Sequence, residues 1–210
     1  VKKYSNTTEL RQSIVEGINI LADNVAATLG PKGQNVIIQY KGDPPFVTKD
    51  GVTVAKFVNL DDPFQNAAVE ILKQASLQTN IEAGDGTTTA TVLARSIIYE
   101  GQKYITSGVS PIELKRGMDK TCDAIVQNLE ENARPIQSLE DIQHIARISS
   151  NNDKMIGDLV ARAVDLAGKD GTVIIEEARS NKTSLELIEG FKIDSGFAAS
   201  AFMPDERRGL

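Results

Sequence analysis

Four long stretches of this chain repeat apolar side chains every three or four residues, a periodicity that commits most of the sequence to amphipathic helices packed on one another. The first covers residues 6–29 through Leu10, Ile14, Ile18, Leu21 and Val25, with Asn6 and Glu9 spaced as a capping pair. Asp62-Pro63 opens the second, which carries Ala67, Ala68, Ile71, Leu72 and Ala75 on one face. A third is expected over 87–107 through Val92, Leu93, Ile97, Ile98 and Ile105. The fourth starts at Ser110-Pro111-Ile112-Glu113, a capping box with Pro in its first turn, and continues to about Asn132. Pro135 closes this block. Beyond it, 138–148 and 153–167 are shorter amphipathic helices, the second stopped by Gly168, and 171–176 and 184–188 are expected as strands around the polar turn Arg179-Ser180-Asn181-Lys182.

The helices are separated by segments with a different chemistry. Glu82-Ala83-Gly84-Asp85-Gly86-Thr87-Thr88-Thr89-Ala90-Thr91 combines backbone freedom, one carboxylate and consecutive hydroxyls at the start of a helix. Glycines flanking Asp85 permit positive φ and close approach to a ligand. The first-turn amides that follow can face phosphate oxygens, and Asp85 offers the hard oxygen that Mg²⁺ prefers. Taken alone, a Gly-Asp-Gly turn with Thr87 as helix N-cap accounts for the run equally well. Upstream, Thr28-Leu29-Gly30-Pro31-Lys32-Gly33 ends the first helix and leads into the apolar Val36-Ile37-Ile38. Between the two lies Thr48-Lys49-Asp50-Gly51-Val52-Thr53-Val54-Ala55, which looks strand-like with a Lys-Asp pair at a glycine turn. Lys49 is suited to phosphate charge and Asp50 to touching metal or orienting water, although Asp50-Gly51 is equally a hairpin turn.

Composition removes several function classes. The chain has 210 residues, long enough for one sizeable core or two modest ones, and its balance of 40% hydrophobic and 25% charged residues is that of a globular protein. No run of 18 apolar residues is available to span a bilayer, so no membrane partner is expected. A net charge of −6 without a Lys/Arg block, and no Trp, argue against nucleic acid. Cys122 and His144 are each the single residue of their type, so neither an internal disulfide nor a Cys/His metal site is expected. The start carries neither an apolar signal core nor an Arg/Ser-rich transit segment, and a cytoplasmic setting is expected, with the Val at position 1 pointing to a trimmed or renumbered start.

The three segments, in this order and spacing, resemble the group I chaperonins, the bacterial and organellar Hsp60 family. The resemblance runs along essentially the whole chain and is most specific at Ala-Gly-Asp-Gly-Thr-Thr-Thr-Ala-Thr-Val-Leu (83–93), Ala-Thr-Leu-Gly-Pro-Lys-Gly (27–33) and Pro-Ile-Glu-Leu-Lys-Arg-Gly-Met-Asp-Lys (111–120). Neither a Walker Gly-Lys-Ser/Thr ending nor a Rossmann glycine fingerprint is present. The implied fold is multidomain α+β: a mainly α-helical equatorial domain with a small β-hairpin region over 1–134, the first segment of a small α/β intermediate domain over 135–189, and the start of an apical domain over 190–210.

The resemblance also implies a site. Thr28, Leu29, Gly30 and Pro31 would line ATP, Lys49 would reach a phosphate, and Asp85 would hold Mg²⁺ while Gly86, Thr87, Thr88 and Thr89 cradle the phosphates. Asp50 would stand near the γ-phosphate as the catalytic carboxylate, and K⁺ is a further candidate cation. A carboxylate that the family brings in from the returning intermediate segment has no counterpart here. Pro135 and Gly190 would be hinges; without the family they are a loop proline and a strand-end glycine.

Phe197, Phe202 and Met203 would belong to an apical face that binds unfolded or misfolded client proteins through non-directional burial. Departures at Ala201, where a larger aromatic is common, and at Ser195, where an arginine is common, put client contact strength and inter-subunit pairing in question. They fit a divergent member, with a viral source among the origins. The implied assembly is a homo-oligomeric ring, heptameric and single or double, with a co-chaperonin as a candidate partner. Because several apolar stripes lack partners, the chain is expected to be part of a longer polypeptide. The competing readings are a truncated, non-cycling nucleotide-binding or ring-interaction module, and a small phosphotransferase built on 84–89 alone.

Overall fold

A computed structural model describes residues 8–39, 44–168, 170–176 and 183–190, together with Tyr4 and Gly42. The chain divides into two compact units, 1–133 and 134–210. In the first, the elements are α1 (Thr8–Ala26), β1 (Val36–Ile38), β2 (Phe46–Thr48), α2 (Gly51–Phe57), α3 (Pro63–Ala83), α4 (Thr87–Thr106) and α5 (Pro111–Asn132); the second contains α6 (Leu139–Ser149) and α7 (Lys154–Ala167). No helix among the described residues is long and apolar enough to cross a membrane.

The apolar stripe of α1 is the centre of the first unit. Ile18, Leu21, Ala22 and Val25 are buried against Val54 and Ala55 of α2 and Ala68, Val69 and Leu72 of α3, with Ala94 and Ile98 of α4 closing the side. The hairpin of β1 and β2 is antiparallel, pairing Val36 with Thr48, Ile37 with Val47 and Ile38 with Phe46. Val36 and Ile38 turn toward the core and Ile37 toward solvent, the period-two alternation of a strand with one wet face. Phe46 then meets Phe57 edge to face at 5.1 Å, tying the hairpin to α2.

Charged groups that enter the core region do so with partners. Lys73 is 6% exposed, and its ammonium donates to Glu70 (2.7 Å), Asn59 (3.2 Å) and the Lys56 carbonyl (3.5 Å), so all three N–H donors meet oxygen. That arrangement ties α3 to the segment leaving α2. Arg95 of α4 pairs with Asp23 of α1.

Some helix starts follow the sequence cues and others depart from them. Asp62 caps α3 by accepting from the N–H groups of Phe64 and Gln65, with Pro63 in the first turn as expected. At α5, Ser110 stands at the N-cap but makes no side-chain capping bond, and Glu113 pairs with Arg116 at 2.7 Å instead, so the expected capping box is not formed. The strand-like reading of 48–55 is also corrected. Thr48 ends β2, Asp50 caps α2, and Gly51–Phe57 is helical; the consecutive Val54 and Ala55 both enter the core with α1 and α3, which the alternating faces of a strand would not allow. Asn6, half of the expected first cap, lies outside the described residues.

In the second unit α6 and α7 form a close pair. A left-handed turn at Asn151 (φ 55°) and Asn152 (φ 64°) reverses the chain, a conformation asparagine tolerates better than most residues. Arg147 then pairs with Asp158 across the helices at 2.6 Å. The strands expected over 171–176 and 184–188 are not formed among the described residues. A strand forms only where a neighbour satisfies its backbone groups in a ladder, and the Gly171 N–H instead turns back onto the Gly168 carbonyl at 3.4 Å.

The start of α6 carries a pH-sensitive cap. Asp141 accepts from the Gln137 N–H (3.1 Å), the Ser138 hydroxyl (2.9 Å) and the Ser138 N–H (3.0 Å), which holds its carboxyl below the usual carboxylate range. A carboxylate whose folded pKa is depressed contributes stability above its unfolded value, about 3.9, and loses it as pH falls through the lower folded value. The α6 cap is therefore expected to hold at neutral pH and to fail in acid below about pH 4. Acid unfolding of Asp141→Asn should lack this component, and identical acid profiles for the two proteins would remove the assignment.

α5 has no buried residue, and Ile112, Ile125 and Leu129 of its apolar stripe are more than half exposed.

Candidate nucleotide site

The connection between α3 and α4 is only three residues long, and its backbone leaves little choice of sequence. Gly84 ends α3 in the left-handed region (φ 70°), its N–H bonded to the Asn80 carbonyl at 3.1 Å, and Gly86 begins α4 in the same region (φ 81°). Asp85 is thereby held at an exposed apex between two positions that favour glycine. Its Oδ1 accepts from the Gly86 N–H at 2.6 Å. Thr87 is not the N-cap; Gly86 is, and a glycine has no side chain to satisfy the first-turn amides. The N–H groups opening this 20-residue helix thus have no side-chain cap, and they carry the positive end of its dipole.

The hydroxyls divide by burial. Thr87 is buried and its carbonyl accepts from the fully buried Thr91 hydroxyl at 2.9 Å, so what Thr87 offers outward is its backbone. Thr88 is half-buried and Thr89 exposed.

The other two segments arrive at the same place. After Val25 the last turn of α1 tightens, with the Thr28 N–H and hydroxyl both bonded to the Val25 carbonyl, and Gly30 (φ 71°) lets the loop fold back so that the Gln34 N–H reaches the Ala27 carbonyl at 2.7 Å. Thr28 is buried, and its Oγ1 lies 3.4 Å from Oγ1 of Thr88. Leu29, Gly30 and Pro31 stay exposed at the loop. From the hairpin side, Gly51 opens α2 directly against Thr88: a Cβ on Gly51 would stand 2.1 Å from the Thr88 hydroxyl and 3.4 Å from Val25. Segments separated by tens of residues in sequence therefore converge on one side chain, Thr88.

Lys49 and Asp50 precede Gly51 and are exposed. Asp50 Oδ2 accepts from the N–H and hydroxyl of Thr53, and the Asp50 N–H donates to the Thr48 hydroxyl at 3.1 Å. Its role in the fold is the N-cap of α2, not a hairpin turn.

The donor set suits a magnesium polyphosphate better than a bare metal. No group of three or more His, Cys, Asp or Glu residues that could hold a metal occurs among the described residues. Mg²⁺ keeps several waters and is commonly bound through one or two carboxylates plus phosphate oxygens, so a single exposed Asp85 beside uncapped helix amides fits that mode and would not make a protein-only cage. Of the remaining expected positions, Pro135 is exposed two residues past the boundary of the first unit, and Gly190 has φ 127°, a backbone that favours glycine. Phe197, Phe202 and Met203 lie outside the described residues, as do Ser195 and Ala201. What reading along the sequence missed is the contact of Gly51 with Thr88. Its signal was a glycine inside the first turn of a helix, where alanine would be the better helix former.

A family model described as the TCP-1/cpn60 chaperonin family matches residues 21–208. Among solved structures, a group III chaperonin in the open state is similar with TM-score 0.64 and 27% identity over 75% of this chain and 31% of that one. The chaperonin gp146 of bacteriophage EL (Pseudomonas aeruginosa), solved in the presence of ATP-BeFx, is similar in two crystal forms at 26% identity, with TM-scores of 0.61 and 0.62 over 74% of this chain. The chain spans between 27% and 31% of the length of these structures.

Proposed function

The chain belongs to the TCP-1/cpn60 chaperonin family, and from that premise we propose that it is the nucleotide-binding part of an ATP-driven chaperonin subunit that binds non-native proteins and promotes their folding. The observation that carries this reading is the meeting of Thr28 and Gly51, one from each of the other two segments, at Thr88, next to a helix N-terminus without a side-chain cap. Three segments that each have an ordinary structural explanation alone acquire a common one when they meet.

In this reading the first-turn amides of α4 hold phosphate oxygens, and the exposed loop at Leu29, Gly30 and Pro31 covers the nucleotide. Lys49 adds a mobile point charge toward the phosphates, while the Asp50 carboxylate, oriented by its bonds to Thr53, stands where it can position a water. Asp85 is the residue that would hold Mg²⁺, which when bound neutralises phosphate charge and polarises the phosphoryl group. Catalysis of this kind depends on alignment and electrostatics, with little covalent work for the protein. K⁺ is a further cation for the same site.

The rest of the proposal extends to the whole protein. Residues 1–134, 135–189 and 190–210 are the first half of an equatorial domain, the first segment of an intermediate domain and the start of an apical domain, with Pro135 and Gly190 as hinges and Phe197, Phe202 and Met203 facing clients. The subunit assembles into a homo-oligomeric ring of the group I type, heptameric, in the cytoplasm, with a co-chaperonin as partner. A sizing measurement joined to an ATPase assay on the full-length protein tests this. A stable multi-subunit particle with magnesium-dependent turnover is expected, and a monomer that binds nucleotide without turning it over would identify a non-cycling module instead.

A further inference from the structure

Resting on the nucleotide-site reading, we propose that Thr88 is a positioning residue, its side chain wedged between Gly51 and Thr28 so that the start of α2, and with it Lys49 and Asp50, is fixed against the N-terminus of α4. Two observations carry this. Gly51 is buried and opens α2, and the space a Cβ would need there is already taken by Thr88, with Oγ1 at 2.1 Å and Cβ at 3.2 Å. The same Thr88 hydroxyl is 3.4 Å from that of Thr28, which is itself buried and anchored to the Val25 carbonyl at 2.8 Å.

The side chain has little room to yield. Threonine is β-branched, so two of its three staggered rotamers place either Oγ1 or Cγ2 in a given slot. The slot beside Gly51 is therefore filled by a heavy atom in most conformations open to Thr88. The same wedge explains why α2 begins with a glycine although alanine is the better helix former. Without the wedge, Gly51→Ala would favour the helix; with it, the added methyl must push α2 away from α4 and carry Lys49 and Asp50 with it.

The sign of the effect makes the proposal testable in a cycle of Gly51→Ala, Thr88→Ala and the double variant of the full-length protein. Each is measured without ligand by thermal unfolding and with Mg-ATP by calorimetry. Gly51→Ala is expected to lower the melting temperature and to weaken Mg-ATP on the order of tenfold, since misplacing a binding group by a fraction of the contact distance is costly. Adding Thr88→Ala should restore most of the melting temperature and part of the affinity, partial because Cβ of Thr88 remains close. Thr88→Ser, which keeps the hydroxyl, should bind more tightly than Thr88→Ala.

If Thr88 acted only by touching phosphate, Thr88→Ala would worsen Gly51→Ala, and that result overturns the positioning role. So does a Gly51→Ala protein as stable as the wild type. Melting temperatures that simply add, with Mg-ATP binding intact in the wild type, overturn the wedge alone. Coupled melting temperatures with no wild-type affinity for Mg-ATP overturn the nucleotide reading and the positioning role built on it, while leaving the packing contact in place.

Discussion

Full-length protein carrying Asp85→Ala is expected to lose magnesium-dependent ATP turnover by at least about a hundredfold while keeping its fold, because a metal-linked charge is worth several kcal/mol in phosphoryl transfer. The side chain is exposed at the apex of the α3–α4 connection, and the backbone around it is set by Gly84 and Gly86. Its bond to the Gly86 N–H links adjacent residues, and losing a single hydrogen bond of this kind costs about 1 kcal/mol. The separation of the two effects is what identifies a functional carboxylate. Asp85→Asn, nearly the same shape without the charge, should be as inactive as the alanine variant. Turnover within a few-fold of wild type in either would remove Asp85 from the site.

Gly17→Ala is expected to be strongly destabilising to the first unit. Gly17 is buried where α1 crosses α3, and a Cβ there would stand 2.4 Å from the Gln65 carbonyl oxygen and 2.9 Å from its Cα. Backbone atoms cannot rotate out of the way, so the helices must separate and loosen Leu21, Val25, Val69 and Leu72. Overpacking of this kind costs about 1–3 kcal/mol and sometimes more, against a gain of at most about 1 kcal/mol for alanine in a helix. A fall in melting temperature of several degrees is expected, with a lower denaturant midpoint. Gly117→Ala is the matched control: Gly117 is on the exposed α5 and a Cβ there meets nothing within 4 Å, so that change should be neutral or stabilising. A Gly17→Ala protein as stable as Gly117→Ala would contradict the close crossing.

The helices were legible because their apolar residues repeat with the helical period and their ends carry local signals. Asp62-Pro63, Ser138 and Gly168 act within a few residues of themselves, which is the range a linear sequence displays. A capping box that was not singled out in the sequence forms between Ser138 and Asp141. Ser110 and Glu113 show the limit of that logic: the residues are right, yet Glu113 is drawn to Arg116 one turn on. Segment 48–55 was harder, since Val-Thr-Val has strand character and only packing against α1 and α3 turns it into a helix. A strand after 170 would depend on a partner strand, which no local pattern specifies.

The site divides along the same line. Gly84, Asp85 and Gly86 could be read directly, because positive φ at both glycines follows from the turn they make. Thr28, Gly51 and Thr88 could not be joined by any spacing, since what unites them is the three-dimensional crossing of α1, α2 and α4. Only the resemblance of whole motifs suggested that they belonged together, and it did so without saying which atoms touch.

Amide hydrogen exchange on the full-length protein, with and without Mg-ATP, tests that union most directly. Residues 28–33, 49–51 and 85–89 should gain protection together, and markedly less when magnesium is withheld. Saturating Mg-ATP that leaves exchange in all three segments unaltered would contradict the account.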